Sequence, residues 1–359
     1  MNPPTPYLKI NAQRVRRNIE KLAAYAAQHN LGIRPHTKTH KSRRVAQMQL
    51  EAGAVGLTCA KVGEVETISG PGEDVLLAYP AVDPARCQRL AKLAGDRTIR
   101  VAIDSVVAAQ ALAQAAQQAG TVIGILVDLD VGMGRTGLQS PRDTLELARE
   151  VDRLRGLRVD GLFCYPGFIW QPADQQAEAF KPVIDKLEET VQLWRQAGLN
   201  AGIVSSGSTP TAYQSHLVPQ VTEIRPGTYV YQDMNGVHGG FCSLEECAAT
   251  IVCTVVSNAV PGQVVIDAGS KTLTSDRCLP APDSGHGYVL EYPQARITRL
   301  TEEHGQVDIR QCDRAPKIGE RVTVIPNHIC PCVNLHEAAW WEEDGRLQPL
   351  RIDARGKLS

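Results

Sequence analysis

The sequence holds no uninterrupted apolar run approaching the roughly 18 residues of a membrane-spanning helix, so no membrane partner is expected. Its first stretch, "MNPPTPYLKI", has no apolar core of signal-peptide length. An excess of either charge is also missing: 38 Lys and Arg face 39 Asp and Glu, and neither sign forms long blocks. That excludes the basic footprint of a nucleic-acid binder and leaves small metabolites as the expected partners. The ten cysteines lack the spacing of a disulfide framework. Scattered through a large chain, they suit reduced thiols in the cytoplasm, a few of them available as metal ligands. Low-complexity segments and strict short repeats are absent.

What is present is an alternation. At 359 residues the chain exceeds one compact core, so two domains, or a barrel with an appendage, are expected. Eight short apolar runs stand in order: "LGIRPHT", "AVGLTCA", "DVLLAYP", "TIRVAID", "TVIGILVDLD", "RVDGLFCYP", "AGIVSSG" and "VTEIRPG". Helical spacing separates many of them, as at Asn11 to His29, Ser105 to Ala119 and Asp174 to Ala197, with Asn11 placed to cap the first. Alternating β and α units imply a parallel sheet, and eight of them fit a closed (β/α)₈ TIM barrel. The texture changes near Cys242. Runs such as "AATIVCTVVSNAV", "GQVVIDAGS" and "GERVTVIP" are β-branched and bounded by turn residues. The expected α/β architecture is therefore a barrel over residues 1–241 and a β-rich C-terminal domain over residues 242–359.

Reactive groups of a barrel sit at the C-terminal ends of its strands. Lys38, in "RPHTKTHKS", falls just past the first run. Asp128 and Arg135 flank the end of the fifth, and Tyr165 ends the sixth. "SSGSTPT" ends the seventh and "RPGTY" the eighth. Ser206, Gly207, Ser208 and Thr209, with Gly227 and Thr228, offer hydroxyls and open backbone N–H groups of the kind that bind phosphate. Taken alone, either cluster is an ordinary turn; on strands seven and eight of a barrel, phosphate binding is the better account. A phosphate site beside a strand-end lysine points to pyridoxal 5'-phosphate, whose aldehyde condenses with the amine. Arg135 is then placed to bond the ring's phenolic oxygen and Tyr165 to hold the ring. The bland alternatives are a surface ion pair for Arg135 and a core aromatic for Tyr165.

"DVGMGRTG" followed by "RPGTYVYQD" resembles the fold-type III pyridoxal enzymes, the group of alanine racemase. "RPHTKTHKS", "AGAVGLTCAKVGEVE", "DAGSKTLTSD", "EEHG" and "PNHICPCVNL" resemble a narrower branch, the metal-dependent D-threonine aldolases and D-serine dehydratases. The likeness runs over almost the whole chain with its motifs in order. It implies that Lys38 is the Schiff-base lysine, that the two small-residue clusters form the phosphate cup, and that the protein is a homodimer.

The resemblance also implies a divalent metal, Zn²⁺ or Mn²⁺, on His328 and Cys330. Two residues apart on a strand, these side chains would share one face, and imidazole with thiolate suits a borderline cation. Cys332 continues the alternation as a possible third ligand. A rival account is a structural zinc cage drawing on Cys242, Cys247 and His238. His36 and His40 flank Lys38 as proton carriers or strand caps, while His286 and His304 read as solvated surface. The implied activity is a lyase that cleaves a D-3-hydroxy amino acid to glycine and an aldehyde. The alternative is a D-serine or 3-hydroxyaspartate dehydratase releasing a 2-oxo acid and ammonia. A racemase, or a pyridoxal-binding carrier without turnover, would have no evident use for the metal pair.

Overall fold

All eight expected runs form strands in the computed structural model, which describes residues 3–199 and 201–359. Met1, Asn2 and Asn200, within the reach of the expected first domain, lie outside the described residues. The chain divides into two compact units. One comprises residues 20–38, 43–227 and 356–359; the other comprises the N-terminal segment to Ile19, Thr39–Ser42 and Thr228–Arg355.

The larger unit follows β1 (Tyr7–Asn11), which belongs to the other, and α1 (Ala12–Gln28), which links the two. Asn11 caps α1, its side-chain oxygen accepting from the Arg14 N–H at 2.9 Å. The barrel strands are β2 (Gly32–Ile33), β3 (Leu57–Cys59), β4 (Asp74–Leu77), β5 (Thr98–Ile103), β6 (Ile123–Asp128), β7 (Leu157–Phe163), β8 (Ile203–Ser206) and β9 (Glu223–Ile224). They run parallel in the order β2-β9-β8-β7-β6-β5-β4-β3. The two ends of this sheet meet. His36 bridges Thr58, the Thr37 N–H donates to the Thr58 carbonyl at 2.8 Å, and the Thr58 N–H donates to the Pro35 carbonyl at 2.9 Å. The sheet thus closes on itself, and every residue of β6 is buried, as a strand covered on both faces requires. Leu76, Ala102, Leu126 and Phe163 form an apolar layer inside it. Helices α2 (Arg43–Glu51), α3 (Val62–Ile68), α4 (Pro84–Leu93), α5 (Val106–Ala119), α6 (Pro141–Arg153) and α7 (Gln176–Gln196) return the chain between strands. Ser105 caps α5 and Ser140 caps α6 through their hydroxyls, which is why those helices start where they do.

The smaller unit is built on a mixed sheet. Its strands are β1, β10 (Ala249–Ser257), β11 (Gln263–Ile266), β12 (Tyr288–Val289), β13 (Arg296–Leu300), β14 (Gly305–Asp308), β15 (Arg321–Ile325), β16 (Ala338–Glu343) and β17 (Arg346–Arg351). β1 lies between β10, antiparallel to it, and β16, parallel to it. Short helices α8 (Met234–His238), α9 (Ser270–Leu273) and α10 (Ile329–Leu335) sit in its connections. Among the described residues no helix is long and apolar enough to cross a membrane.

Candidate active site

In the barrel unit, Lys38 comes two residues after the His36 bridge that completes the sheet. Its side chain is exposed, and among the described residues its ammonium has no hydrogen-bond or ion-pair partner. A nucleophilic amine needs that freedom.

Tyr165 and Arg135 come together at the same end of the sheet. Tyr165 packs on the apolar layer, and the Arg135 guanidinium carbon lies 4.9 Å from the centre of its ring. With Asp128, Asp130, Met133 and Thr136 they line a small cleft. Gly167 must be glycine here, because a Cβ would stand 2.1 Å from the Tyr165 ring. The loop carrying Arg135 is shaped by Asp130, whose carboxylate accepts the N–H groups of Gly132 (3.1 Å), Met133 (2.9 Å) and Gly134 (3.1 Å).

Asp128 closes β6 and is buried. Loss of water pushes its carboxyl up and Asp104 adds to this. Thr136, Arg225 and Arg135 pull it back, leaving it at about 6. Arg225, at the end of β9, is fully buried, and burial drives its guanidinium down to about 10. It donates to the Ser205 hydroxyl and to the Cys164 carbonyl, both at 2.7 Å, and lies 3.8 Å from the centre of the Phe163 ring. Both groups stand at the carboxyl ends of barrel strands, the face on which barrel active sites are built.

The small-residue clusters follow β8 and β9. Gly207 has φ +91°, a left-handed turn open to glycine, which turns the chain out of β8. Ser206 accepts a hydrogen bond from the Cys164 thiol at 3.2 Å. The Ser208 N–H donates to the Thr211 hydroxyl at 3.0 Å, so that amide serves the turn itself. Thr209 continues this turn, and Gly227 is the last barrel residue before the chain passes to the other unit at Thr228.

In the second unit, His328 and Cys330 stand at a strand-to-helix junction. The even spacing predicts one face of a strand. Instead His328 is the extended residue that precedes α10, and Cys330 lies in the first turn of that helix. The pair meets because the chain bends there, not because residues alternate. The His328 Nδ1 is 3.3 Å from the Asp276 carboxylate. Burial lowers the imidazole's basicity, but contact with Cys330 and the charges of Asp233 and Asp276 outweigh it and raise it to about 9. The Cys330 sulfur lies 3.1 Å from the Thr39 hydroxyl and 3.5 Å from that of Thr228. Thr39 follows Lys38 in the chain, and Thr228 follows Gly227. An imidazole and a thiol side by side are a donor set that fits a borderline divalent cation.

Other expectations change. Cys332 is not poised as a third ligand: it is fully buried, donates to the Thr272 carbonyl at 3.2 Å, and burial drives its thiol far up. Cys242 and Cys247 interact with one another, but among the described residues no three His, Cys, Asp or Glu side chains gather into a metal cage. His286 is buried rather than solvated, and burial lowers its basicity; His304 is exposed. His40 is fully buried, its Nδ1 accepting from the Ser42 N–H at 3.1 Å. Asp233 and Asp276 escaped sequence reasoning. Their only signal was the carboxylate ending "DAGSKTLTSD" and the one following "RPGTYVYQ".

Residues 10–235 match the family described as alanine racemase, N-terminal domain, and residues 248–340 match a putative serine dehydratase domain. The chain is 30% identical to D-threonine aldolase of Arthrobacter sp., over 98% of this chain and 93% of that protein. It is also 30% identical to D-threo-3-hydroxyaspartate dehydratase of Delftia sp., over 91% of this chain and 90% of that one. Among solved structures, D-threonine aldolase from Filomicrobium marinum superposes with a TM-score of 0.89 at 27% identity, covering 99% of this chain and 97% of that one. These relatives are lyases, and the barrel, the β-rich unit and both family matches agree: the chain belongs to the alanine racemase-like, fold-type III pyridoxal phosphate enzymes, in the branch of D-threonine aldolase and D-serine dehydratase.

Proposed function

We propose that the protein is a pyridoxal phosphate- and divalent metal-dependent lyase that cleaves D-3-hydroxy amino acids to glycine and an aldehyde. One observation carries the pairing of the two functions. The hydroxyls of Thr39 and Thr228, each next in sequence to a residue assigned to the cofactor, both lie against the sulfur of Cys330. In this reading residues 1–241 hold the cofactor and residues 242–359 supply the metal ligands. The protein works as a homodimer in the cytoplasm, where its ten free cysteines stay reduced.

When bound, the cofactor supplies an aldehyde for an amine and an electron sink for cleavage at Cα, and the cation supplies a Lewis acid for the β-hydroxyl. The Lys38 amine is the attachment point. Arg135 directs a positive charge at the ring's oxygen, and Tyr165 presents a rigid apolar wall to the ring. Ser206, Gly207, Ser208, Thr209, Gly227 and Thr228 form the turns that receive phosphate. Asp128 carries a proton on its carboxyl into the pH range where most carboxylates are bare. His328 and Cys330 bind Zn²⁺ or Mn²⁺; the thiolate favours zinc.

The same parts would serve a dehydratase, and the equal identity to the Delftia enzyme keeps that reading in view. Incubation with D-threonine, pyridoxal phosphate and Zn²⁺ or Mn²⁺ separates them. Acetaldehyde and glycine are expected. Production of 2-oxobutyrate and ammonia instead would replace the aldolase reading with the dehydratase, and L-threonine would mean a racemase.

A further inference from the structure

We propose that Asp276 is a positioning residue that orients His328 toward the metal, an inference that rests on the metal reading of His328 and Cys330. Its carboxylate lies 3.3 Å from His328 Nδ1. The negative charge of a carboxylate beside Nδ1 favours the proton on that nitrogen, which leaves the lone pair of the ring on Nε2. A ring held in one tautomer and one orientation binds a cation more tightly than one that rotates.

The surrounding hydrogen bonds make this a built arrangement. Asn327, the residue before His328, donates from its side chain to the Asp276 carbonyl at 3.0 Å and to the Gly285 carbonyl at 2.8 Å. The carboxylate that faces the ring is thereby tied to the backbone that carries the ring. The Asp276 N–H donates to the Thr274 hydroxyl at 3.3 Å, at a turn where Thr274 takes φ +69°. A non-glycine residue in that left-handed region needs surrounding structure to hold it. On the other side, buried Asp233 accepts the N–H of Ile329, between the two metal-binding side chains, at 3.0 Å. It also accepts from Gly236 at 3.2 Å. Asp233 therefore sets the backbone at the junction, and what remains adjustable is the rotation of the His328 ring. Asp276 is the side chain at its Nδ1.

Asp276 is partly exposed, so its substitution leaves the core intact. The test is a Co²⁺ titration of the cofactor-loaded protein and its Asp276→Asn, Asp276→Glu and His328→Ala variants. Affinity is read by chelator competition and ligand field by visible absorption. Asp276→Asn is expected to weaken Co²⁺ binding about 10- to 100-fold. It should also shift the Co²⁺ absorption bands, while the melting temperature of the metal-free protein stays at the wild-type value. Asp276→Glu should recover part of the affinity. Affinity and bands of Asp276→Asn equal to wild type overturn the proposal while leaving the metal assignment standing. Undiminished affinity in His328→Ala sinks the metal assignment and this inference together.

Discussion

Arg34 and Asp128 are both buried in the barrel unit, yet only Arg34 is held in direct ion pairs. Arg34 donates through Nε to Glu223 at 2.8 Å and through a terminal nitrogen to Asp74 at 2.6 Å. Arg100 joins Asp74 and reaches Asp160 at 2.7 Å, and the Ser205 hydroxyl donates to Glu223 at 2.6 Å. Each charge in this network has a counter-charge, so despite burial Arg34 stays above its ordinary basicity. Asp128 has a single hydroxyl and two more distant guanidinium groups against desolvation and a second carboxylate, and its carboxyl rises to about 6. The same loss of water acts on both. Closed pairing makes the first set structural, and incomplete pairing makes the second chemically adjustable.

The largest expected break in this comparison is at Lys38, which is in neither network. Lys38→Ala should remove activity down to background, and borohydride reduction should no longer attach the cofactor to the chain. Because the residue is exposed, unfolding free energy should stay within about 0.5 kcal/mol of wild type. Intact turnover in this variant would refute the lysine assignment.

Next is Glu223→Ala, which leaves Arg34 buried with one counter-charge fewer. Removing one partner of a buried pair costs about 3–5 kcal/mol, measured by urea unfolding. A loss under 1 kcal/mol would show that water or rearrangement replaces the pair and that the network is not closed.

Asp128→Asn should act in the opposite direction. The native carboxyl titrates near 6 and the unfolded one near the ordinary value of about 3.9, so the native state holds the proton more tightly. Stability from this group is complete below the unfolded value and is lost as pH rises through the native one. At pH 7.5 the wild type should therefore be less stable than Asp128→Asn by about 3 kcal/mol. The gap should close below pH 4. A gap that persists at low pH would assign the effect to packing. The smallest effect is expected at Cys332→Ala: metal affinity unchanged, with a loss of about 1 kcal/mol from the buried thiol. A large fall in affinity would restore it as a ligand.

Much of the barrel was legible in the chain. A strand buried on both faces must be apolar along its length, so "TVIGILVDLD" announces β6 without any knowledge of its neighbours. The hydroxyl of Ser105 and the side-chain oxygen of Asn11 announce helix starts for an equally local reason. The rim was partly legible. Lys38, Arg135 and Tyr165 could be placed at strand ends, but the perturbed state of Asp128 depends on Asp104, Arg225 and burial, none of which is local.

The sequence by itself determined the alternation of eight apolar runs, the polar groups that follow them and the β-branched texture of the second unit. Each of these is a property of a few consecutive residues. Only the tertiary structure decided that Tyr7–Asn11 pairs between β10 and β16, because strand partners distant in the chain leave no periodic trace. It also decided that His328 and Cys330 meet at a helix start, where backbone dihedrals rather than i, i+2 alternation set side-chain direction. The carboxylate of Asp276 reaches that imidazole through loops whose closure no local pattern encodes.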